Sequence, residues 1–326
     1  MSKKILITGG AGFIGSNICQ KLLSMPEIAV VRVIDNLVTG STENIESLLP
    51  NTKFEFIQGD IRDFKTCKEV SKDIDVILHQ AALGSVPRSV KDPIETNRIN
   101  IDGTLNVLVA ARDAKVKRVV FAASSSAYGE TPTLPKVETM QPEPISPYGV
   151  TKFVGELYAQ TFGRCYGIEN VSLRYFNIFG PRQDPSSPYS GVLAKFCTAY
   201  LEESQPVIFG DGEQTRDFTY VENAVQANLL ACEAPNVSGK VFNIGTGIRF
   251  SLNQTVELLS KISGKQLQVK YDPPRDGDIR DSLADITLAR EFLGYEPAVH
   301  FEEGLQRTFA WYQTQREEQQ TKKTAE

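Results

Sequence analysis

Short runs of apolar residues punctuate the first half of the chain, and each gives way to a stretch with helical spacing. Ile5, Leu6 and Ile7 form the first run; it breaks at Gly9-Gly10-Ala11-Gly12, and apolar positions resume at Phe13, Ile14, Ile18 and Leu22. Further runs lie at 30–34, 54–58, 75–80, 118–123 and 172–176. Helical spacing recurs across 93–113, where Ile101, Leu105, Leu108 and Val109 share a face, and across 148–166. Continuous apolar runs predict strands buried on both faces, and their alternation with helices predicts an α/β fold with a doubly wound parallel sheet. Later, Leu252, Val256, Leu259 and Ile262 mark an amphipathic helix, and 301–312 marks another. Residues 313–326 carry no apolar stripe and read as a frayed helix or a disordered tail.

Composition narrows the partners. With 35 Lys and Arg against 40 Asp and Glu, the net charge of -5 argues against nucleic acid as the main partner, because phosphate binding needs a basic face. Cys19, Cys67, Cys165, Cys197 and Cys232 are scattered without CxxC spacing, which fits reduced thiols of a cytosol. Only His79 and His300 are histidines, so no metal site is expected; His79, inside an apolar run, reads as a core histidine. Residues 1–4 lead straight into the first strand, and no apolar run nears the length of a bilayer span. A cytoplasmic location with no membrane partner is the expectation.

The candidate chemistry begins at the glycines. Gly9, Gly10, Gly12 and Gly15 follow a strand and open a helix, so the backbone amides near Phe13 and Ile14 face an anion at close range. The second strand ends about 20 residues on in Asp35, a carboxylate suited to ribose hydroxyls; Asn36 follows it, favouring NAD over NADP. Asp60 and Ile61, after the third strand, either flank an adenine or begin the next helix. Ala81 and Ala82, after the fourth, leave room for a diphosphate. The fifth delivers Ser124, Ser125 and Ser126 to the sheet edge where ligands of such folds bind. Tyr148 and Lys152 lie one helical turn apart at the head of a helix. A phenol titrates near pH 10, and a nearby lysine would favour its phenolate, making Tyr148 a general base with Ser124 or Ser125 on the same substrate oxygen. In the second half, arginines about a glycine-rich turn and a carboxylate suit a nucleoside diphosphate.

The strings TGGAGFIG, HQAALGSVPRS, ASSSAYGE, SPYGVTK, LRYFNIFGPRQDP, GDGEQTRDFTYVEN and PPRDGDIRDSLAD resemble the extended short-chain dehydrogenase/reductases of the nucleotide-sugar epimerase group. Within that group the chain is most similar to UDP-N-acetylglucosamine 4-epimerases. The resemblance implies a Rossmann domain over 1–180 with segments returning from the second half, a smaller α/β substrate lobe over 181–312, and a polar tail. It implies tightly held NAD touching Gly9, Gly12, Phe13, Ile14, Gly15, Asp35, Asn36, Asp60, Ile61, Ala81, Ala82, Asn100, Tyr148, Lys152 and Tyr175. It implies a UDP-sugar held by Asn177, Arg216, Arg275 and Asp278, with Phe209 at the uracil and Gly84, Ser85, Ser124 and Ser125 at the sugar. Ser282 stands where a bulky residue confines related enzymes to plain hexoses, and a small side chain there leaves room for an N-acetyl group. The Asp-Glu pair of the dehydratases is replaced by Ser125 and Ser126. UDP-glucose and uronate 4-epimerases and a nucleotide-sugar dehydrogenase are the alternatives; a redox-sensing binding protein would have lost Tyr148 or Lys152. Arg88 and Arg182 are the candidate partners of a uronate carboxylate. A homodimer through the helices near 94–113 and 148–166 is likewise implied.

Overall fold

A computed structural model describes residues 2–186, 191–274 and 279–325. The apolar runs of the first half become strands β1 (Lys3–Thr8), β2 (Ile28–Asp35), β3 (Phe54–Gln58), β4 (Val76–His79), β5 (Arg118–Ser124) and β6 (Glu169–Tyr175). Between them lie helices α1 (Phe13–Leu23), α2 (Phe64–Val70), α3 (Val86–Lys91), α4 (Pro93–Asn97), α5 (Gly103–Asp113) and α6 (Pro147–Tyr166). The chain continues through β7 (Ile178–Phe179), α7 (Val192–Glu202), β8 (Val207–Phe209), β9 (Thr215–Arg216), β10 (Thr219–Tyr220), α8 (Val221–Glu233) and β11 (Lys240–Ile244). It ends with β12 (Phe250–Ser251), α9 (Leu252–Ser263), β13 (Lys270–Asp272), α10 (Thr287–Leu293) and α11 (Phe301–Ala325).

Seven parallel strands form the central sheet in the order β11-β6-β5-β4-β1-β2-β3. The order reverses beside β1, and a crevice opens at the carboxyl edge of such a sheet where the winding changes sense. Alternate residues of β1 feed opposite cores: Ile5 and Ile7 pack with Ile18, Leu22, Ala227 and Leu293 on one face, Leu6 with Val70, Val107, Leu108 and Phe162 on the other. β11 comes from the second half, so the sheet is completed by a returning segment. A third core, including Phe179, Phe196, Tyr200, Phe218, Leu259 and Phe301, belongs to the smaller lobe. Phe218 and Phe301 stack there at 5.0 Å. Phe13 and Ile14 of α1 also pack on it, so the first turn of that helix touches both halves.

One expectation is corrected. The helix foreseen over 93–113 is interrupted by a π-helical segment at Arg98–Asp102. The side chain of Asn100 in that segment is engaged outside the helix: its Oδ1 accepts from Leu83 N at 2.8 Å, and its Nδ2 donates to Leu83 O and to Thr151 Oγ1. Of the two readings of the tail, the structure gives a helix: α11 continues to Ala325, Tyr312 just before the tail donates to Gln183 O, and Arg316 within it donates to Leu201 O. Ser146 caps α6 by accepting from Gly149 N, and Gly167 ends it with a φ of 73°.

His79 is the core histidine that the sequence indicated. Thr104 Oγ1 donates to Asn100 O at 2.6 Å, so it accepts from His79 Nε2 at 2.9 Å, and Nδ1 is left to accept from Thr8 Oγ1 at 2.6 Å. Burial, with Lys152's charge second, pushes the imidazole down to about 3. The folded protein therefore keeps His79 neutral while the unfolded chain protonates it near 6.5, so stability falls as pH drops below 6.5 toward 3. Urea unfolding at about pH 7 and about pH 5 should show His79→Gln losing about 2 kcal/mol less than wild type over that step; equal losses would contradict the assignment.

Candidate active site

The crevice is a cleft of about 1250 Å³. Its rim starts at the glycine turn, where Gly9 has a φ of +73° and a Cβ there would lie 2.8 Å from the Ala81 backbone. A Cβ on Gly15 would lie 2.2 Å from Gly9 O, so α1 can sit on the turn only because position 15 is glycine. Gly12 is the N-cap and offers no side-chain cap, and no carboxylate occupies the first turn. That end of α1 borders the cleft with its amides available for an anion.

Asp35 closes one side. Its Oδ2 accepts from Ala11 N at 3.0 Å and its Oδ1 from Leu37 N at 2.8 Å, while burial raises its pKa. Ala11 O accepts from Ser41 N and Asn44 Nδ2, stapling the loop after β2 to the glycine turn. Asn36, Gly59 and Ile61 line the cleft; Asp60 between the last two forms an ion pair with Arg62 and accepts from Asn36 Nδ2, and the Arg62 contact holds it down at about 2. The alternative reading of Asp60 as the cap of the next helix fails, since Asp63 caps α2. The Asn100 amide bonds the Leu83 backbone and Thr151.

Ala81, Ala82, Gly84 and Ser85 line the opposite side. Ser85 Oγ caps α3, accepting from Arg88 N at 3.2 Å. Tyr175 presents its ring to the cleft, but its hydroxyl donates to Gln80 and accepts from Asn228 Nδ2 at 2.6 Å.

Ser124, Ser125, Ser126, Tyr148 and Lys152 meet in the cleft. Burial raises the Tyr148 phenol, and a hydrogen bond from Ser124 opposes the rise. Lys152 is buried; its Nζ donates to Ala122 O at 2.7 Å and stands 6.0 Å from the Tyr148 ring centre. Burial pushes the ammonium down to about 8, against the pull of Glu156. Glu156, one turn further along α6, takes a two-pronged ion pair from Arg174 at 2.8 and 2.7 Å, both side chains buried. Ser124 is thus the hydrogen-bonded partner of the phenol. Glu156 was missed, although its spacing of eight from Tyr148 on one helix carried the signal.

The lobe contributes Asn177, Arg216 and Ser282. Asn177 has a φ of +36° and donates from Nδ2 to Asp217 O at 3.2 Å and toward Ser282 Oγ at 3.5 Å. Asp217 is buried and its carboxylate accepts four bonds, from Thr246 N and Oγ1, Gly247 N and Ala284 N, tying three segments together. Arg182 lines the cleft and also holds α1 through Ser16 O and Gln20. Phe209 stands outside the lining, and Arg275 and Asp278 fall outside the described residues. Trp311, Tyr312, Gln315 and Arg316 of α11 line the cleft, which no local pattern announced. Among the described residues no cluster could hold a metal ion, and no helix is long and apolar enough to cross a membrane.

Residues 5–245 match the NAD dependent epimerase/dehydratase family. A putative UDP-glucose 4-epimerase of Methanocaldococcus jannaschii is 41% identical over 309 residues, 94% of this chain and 97% of that protein. The UDP-N-acetylglucosamine 4-epimerase of Methanobrevibacter ruminantium M1, solved with UDP-N-acetylmuramic acid, superposes with a TM-score of 0.91 at 40% identity, covering 96% of this chain and 99% of that one. The UDP-glucuronic acid 4-epimerase of Bacillus cereus, solved with UDP-glucuronic acid and NAD, gives 0.90 at 36% identity, with the same 96% and 99% coverage.

Proposed function

The chain belongs to the NAD dependent epimerase/dehydratase family, and from that premise we propose that it is an NAD-dependent UDP-sugar 4-epimerase acting preferentially on UDP-N-acetylglucosamine and UDP-N-acetylgalactosamine. The observation that carries the activity is the convergence of Ser124, Tyr148 and Lys152 in the cleft that the glycine turn opens. NAD, when bound, supplies a reversible hydride acceptor at C4 of the sugar. The uncapped amides of α1, the Asp35 carboxylate and the small side chains of Ala81 and Ala82 fit its diphosphate and adenosine ribose. Tyr148 takes the C4 hydroxyl proton as its phenolate and returns it after the sugar has turned over; the Ser124 hydroxyl donates to Tyr148 and supports the phenolate. Lys152 supplies the positive charge that favours phenolate, and the Glu156–Arg174 pair keeps that buried region electrically compensated. Asn177, Arg216 and Arg275 hold the nucleotide diphosphate, and the Asp278 carboxylate takes a ribose hydroxyl.

The N-acetyl preference rests on Ser282, a small, buried side chain beside Asn177 at the cleft. Arg88 also lines the cleft and keeps a uronate substrate as the second reading. The helices flanking the site are expected to meet a second copy of the chain, because Val90, Ile94, Val150 and Leu157 expose apolar side chains on α3, α4 and α6.

Proton NMR of UDP-N-acetylglucosamine with purified protein and no added NAD should show the galacto epimer forming faster than epimer forms from UDP-glucose. Tyr148→Phe should lose at least about a thousandfold in rate while retaining NAD. Conversion of UDP-glucuronic acid alone would select the uronate reading, and net NADH release would select a dehydrogenase. Ser282→Tyr should abolish turnover of the N-acetylated sugar and spare UDP-glucose; equal loss on both would remove the wall argument. In light scattering, Leu157→Glu should convert a dimer to a monomer, and an unchanged mass would refute that interface.

A further inference from the structure

Ser124 is the hydroxyl partner of Tyr148, and both polar donors of Ser126, two residues on, converge on it. Its amide donates to Ser124 Oγ at 3.2 Å and its hydroxyl donates to the same oxygen at 2.8 Å. A serine hydroxyl has two lone pairs and one proton. With both lone pairs engaged by Ser126, Ser124 has only its proton left to place. We propose that Ser126 is a positioning residue that fixes Ser124 as a donor to the Tyr148 hydroxyl and so sets the pH at which Tyr148 acts.

The backbone holds this relay in place. Ser124 ends β5, and residues Ser125–Tyr128 form a single 3₁₀ turn for which Ser124 Oγ is the cap, so the donor direction and the turn are one feature. A Cβ on Gly149 would lie 2.7 Å from Ser126 O, which puts the turn bearing Ser126 in contact with the residue that follows Tyr148. Glu143 N donates to Ala127 O at 3.0 Å, stapling the loop that leads into α6 to the same turn. Ser124 and Tyr148 are therefore held at a separation set by backbone packing, and what Ser126 adds is orientation.

The direction of the effect follows from the charge. A hydrogen bond donated to a phenolate stabilises the charged form and lowers the phenol's pKa. Among the groups facing Tyr148, β5 and the 3₁₀ turn present only the hydroxyls of Ser124, Ser125 and Ser126, and α6 presents Lys152 at 6.0 Å, with Glu156 and its partner Arg174 one turn beyond. β4 brings neutral His79, β6 brings Tyr175, and Arg88 lines the far wall. Without the Ser126 hydroxyl, Ser124 regains a free lone pair and its proton is free to rotate to other acceptors. Tyr148 then titrates at higher pH.

The inference rests on the proposed role of Tyr148, and its test has a readout that needs no turnover. In the NAD-loaded protein, the ultraviolet absorbance of the Tyr148 phenolate, taken as the difference from Tyr148→Phe in each background, should titrate about one pH unit higher in Ser126→Ala than in wild type. The rising limb of kcat against pH should move by the same amount, a loss of about tenfold below it that is recovered above it, with KM little changed. Ser126→Thr, which keeps the hydroxyl, should behave as wild type, and Ser126→Ala should add nothing to Ser124→Ala. Should Ser126→Ala fail to fold, Ser126→Cys, with its weak S–H donor, should give the upward shift instead. An unmoved phenolate titration, an equal rate loss at every pH, a rise in KM alone, or a further effect in the Ser124→Ala background would overturn the proposal. A shifted titration in a protein that turns over no UDP-sugar would uphold it and discard the epimerase reading.

Discussion

Close approach of α1 to the glycine turn is the constraint on which the site depends. Any side chain on Gly15 would meet Gly9 O, and any side chain on Gly9 would meet the Ala81 backbone. Only with both positions bare can the helix start against the ends of β1 and β4, leaving its first amides on the cleft. Those same residues serve the second lobe, since Phe13 and Ile14 pack on the core that holds Phe179 and Phe301. The anion site and the joint between the two halves are therefore one piece of backbone, which couples the placement of a cofactor to the placement of whatever the lobe holds.

Behind the cleft, polar groups are buried in linked sets. A chain of bonds runs from Thr8 through His79 and Thr104 to Asn100, on to Thr151, and from Thr151 to Tyr148 O. It joins the end of β1 to the head of α6 through the π-helical segment, whose irregular backbone places Asn100 at the Leu83 loop. Glu156 and Arg174 form a second set. Burying an ion pair returns little stability compared with apolar packing, so such a pair beside Lys152 is better understood as electrostatic support for a buried ammonium than as glue.

In the lobe, the Asp217 carboxylate does for loops what the sheet ladder does for strands. Four donors from two segments converge on it while Asn177 takes the Asp217 carbonyl, so Arg216 and Ser282 face the cleft from backbones joined through one side chain. A Cβ on Gly245 would fall 2.6 Å from Ala284 Cβ, which explains the glycine in the crossing segment. Side chains that face the cleft from irregular backbone thereby gain the rigidity that regular elements would otherwise supply.

The sequence alone determined the parallel α/β sheet, the glycine turn after β1, the carboxylate ending β2, the hydroxyls ending β5, and the pairing of Tyr148 with Lys152, because each depends on residues near one another in the chain. Strand and helix periods, a turn that only glycine fits, and a spacing of four on a helix are local physics. Only the tertiary structure decided which polar groups remain available. Asp60 is paired with Arg62 and Asn100 with the Leu83 loop, and neither partner is marked by any periodicity. The cleft wall from α11 and the hub at Asp217 join residues far apart in sequence. Their partners are chosen by packing and by the need to satisfy every buried donor and acceptor, a condition on the whole fold that no short stretch of sequence states.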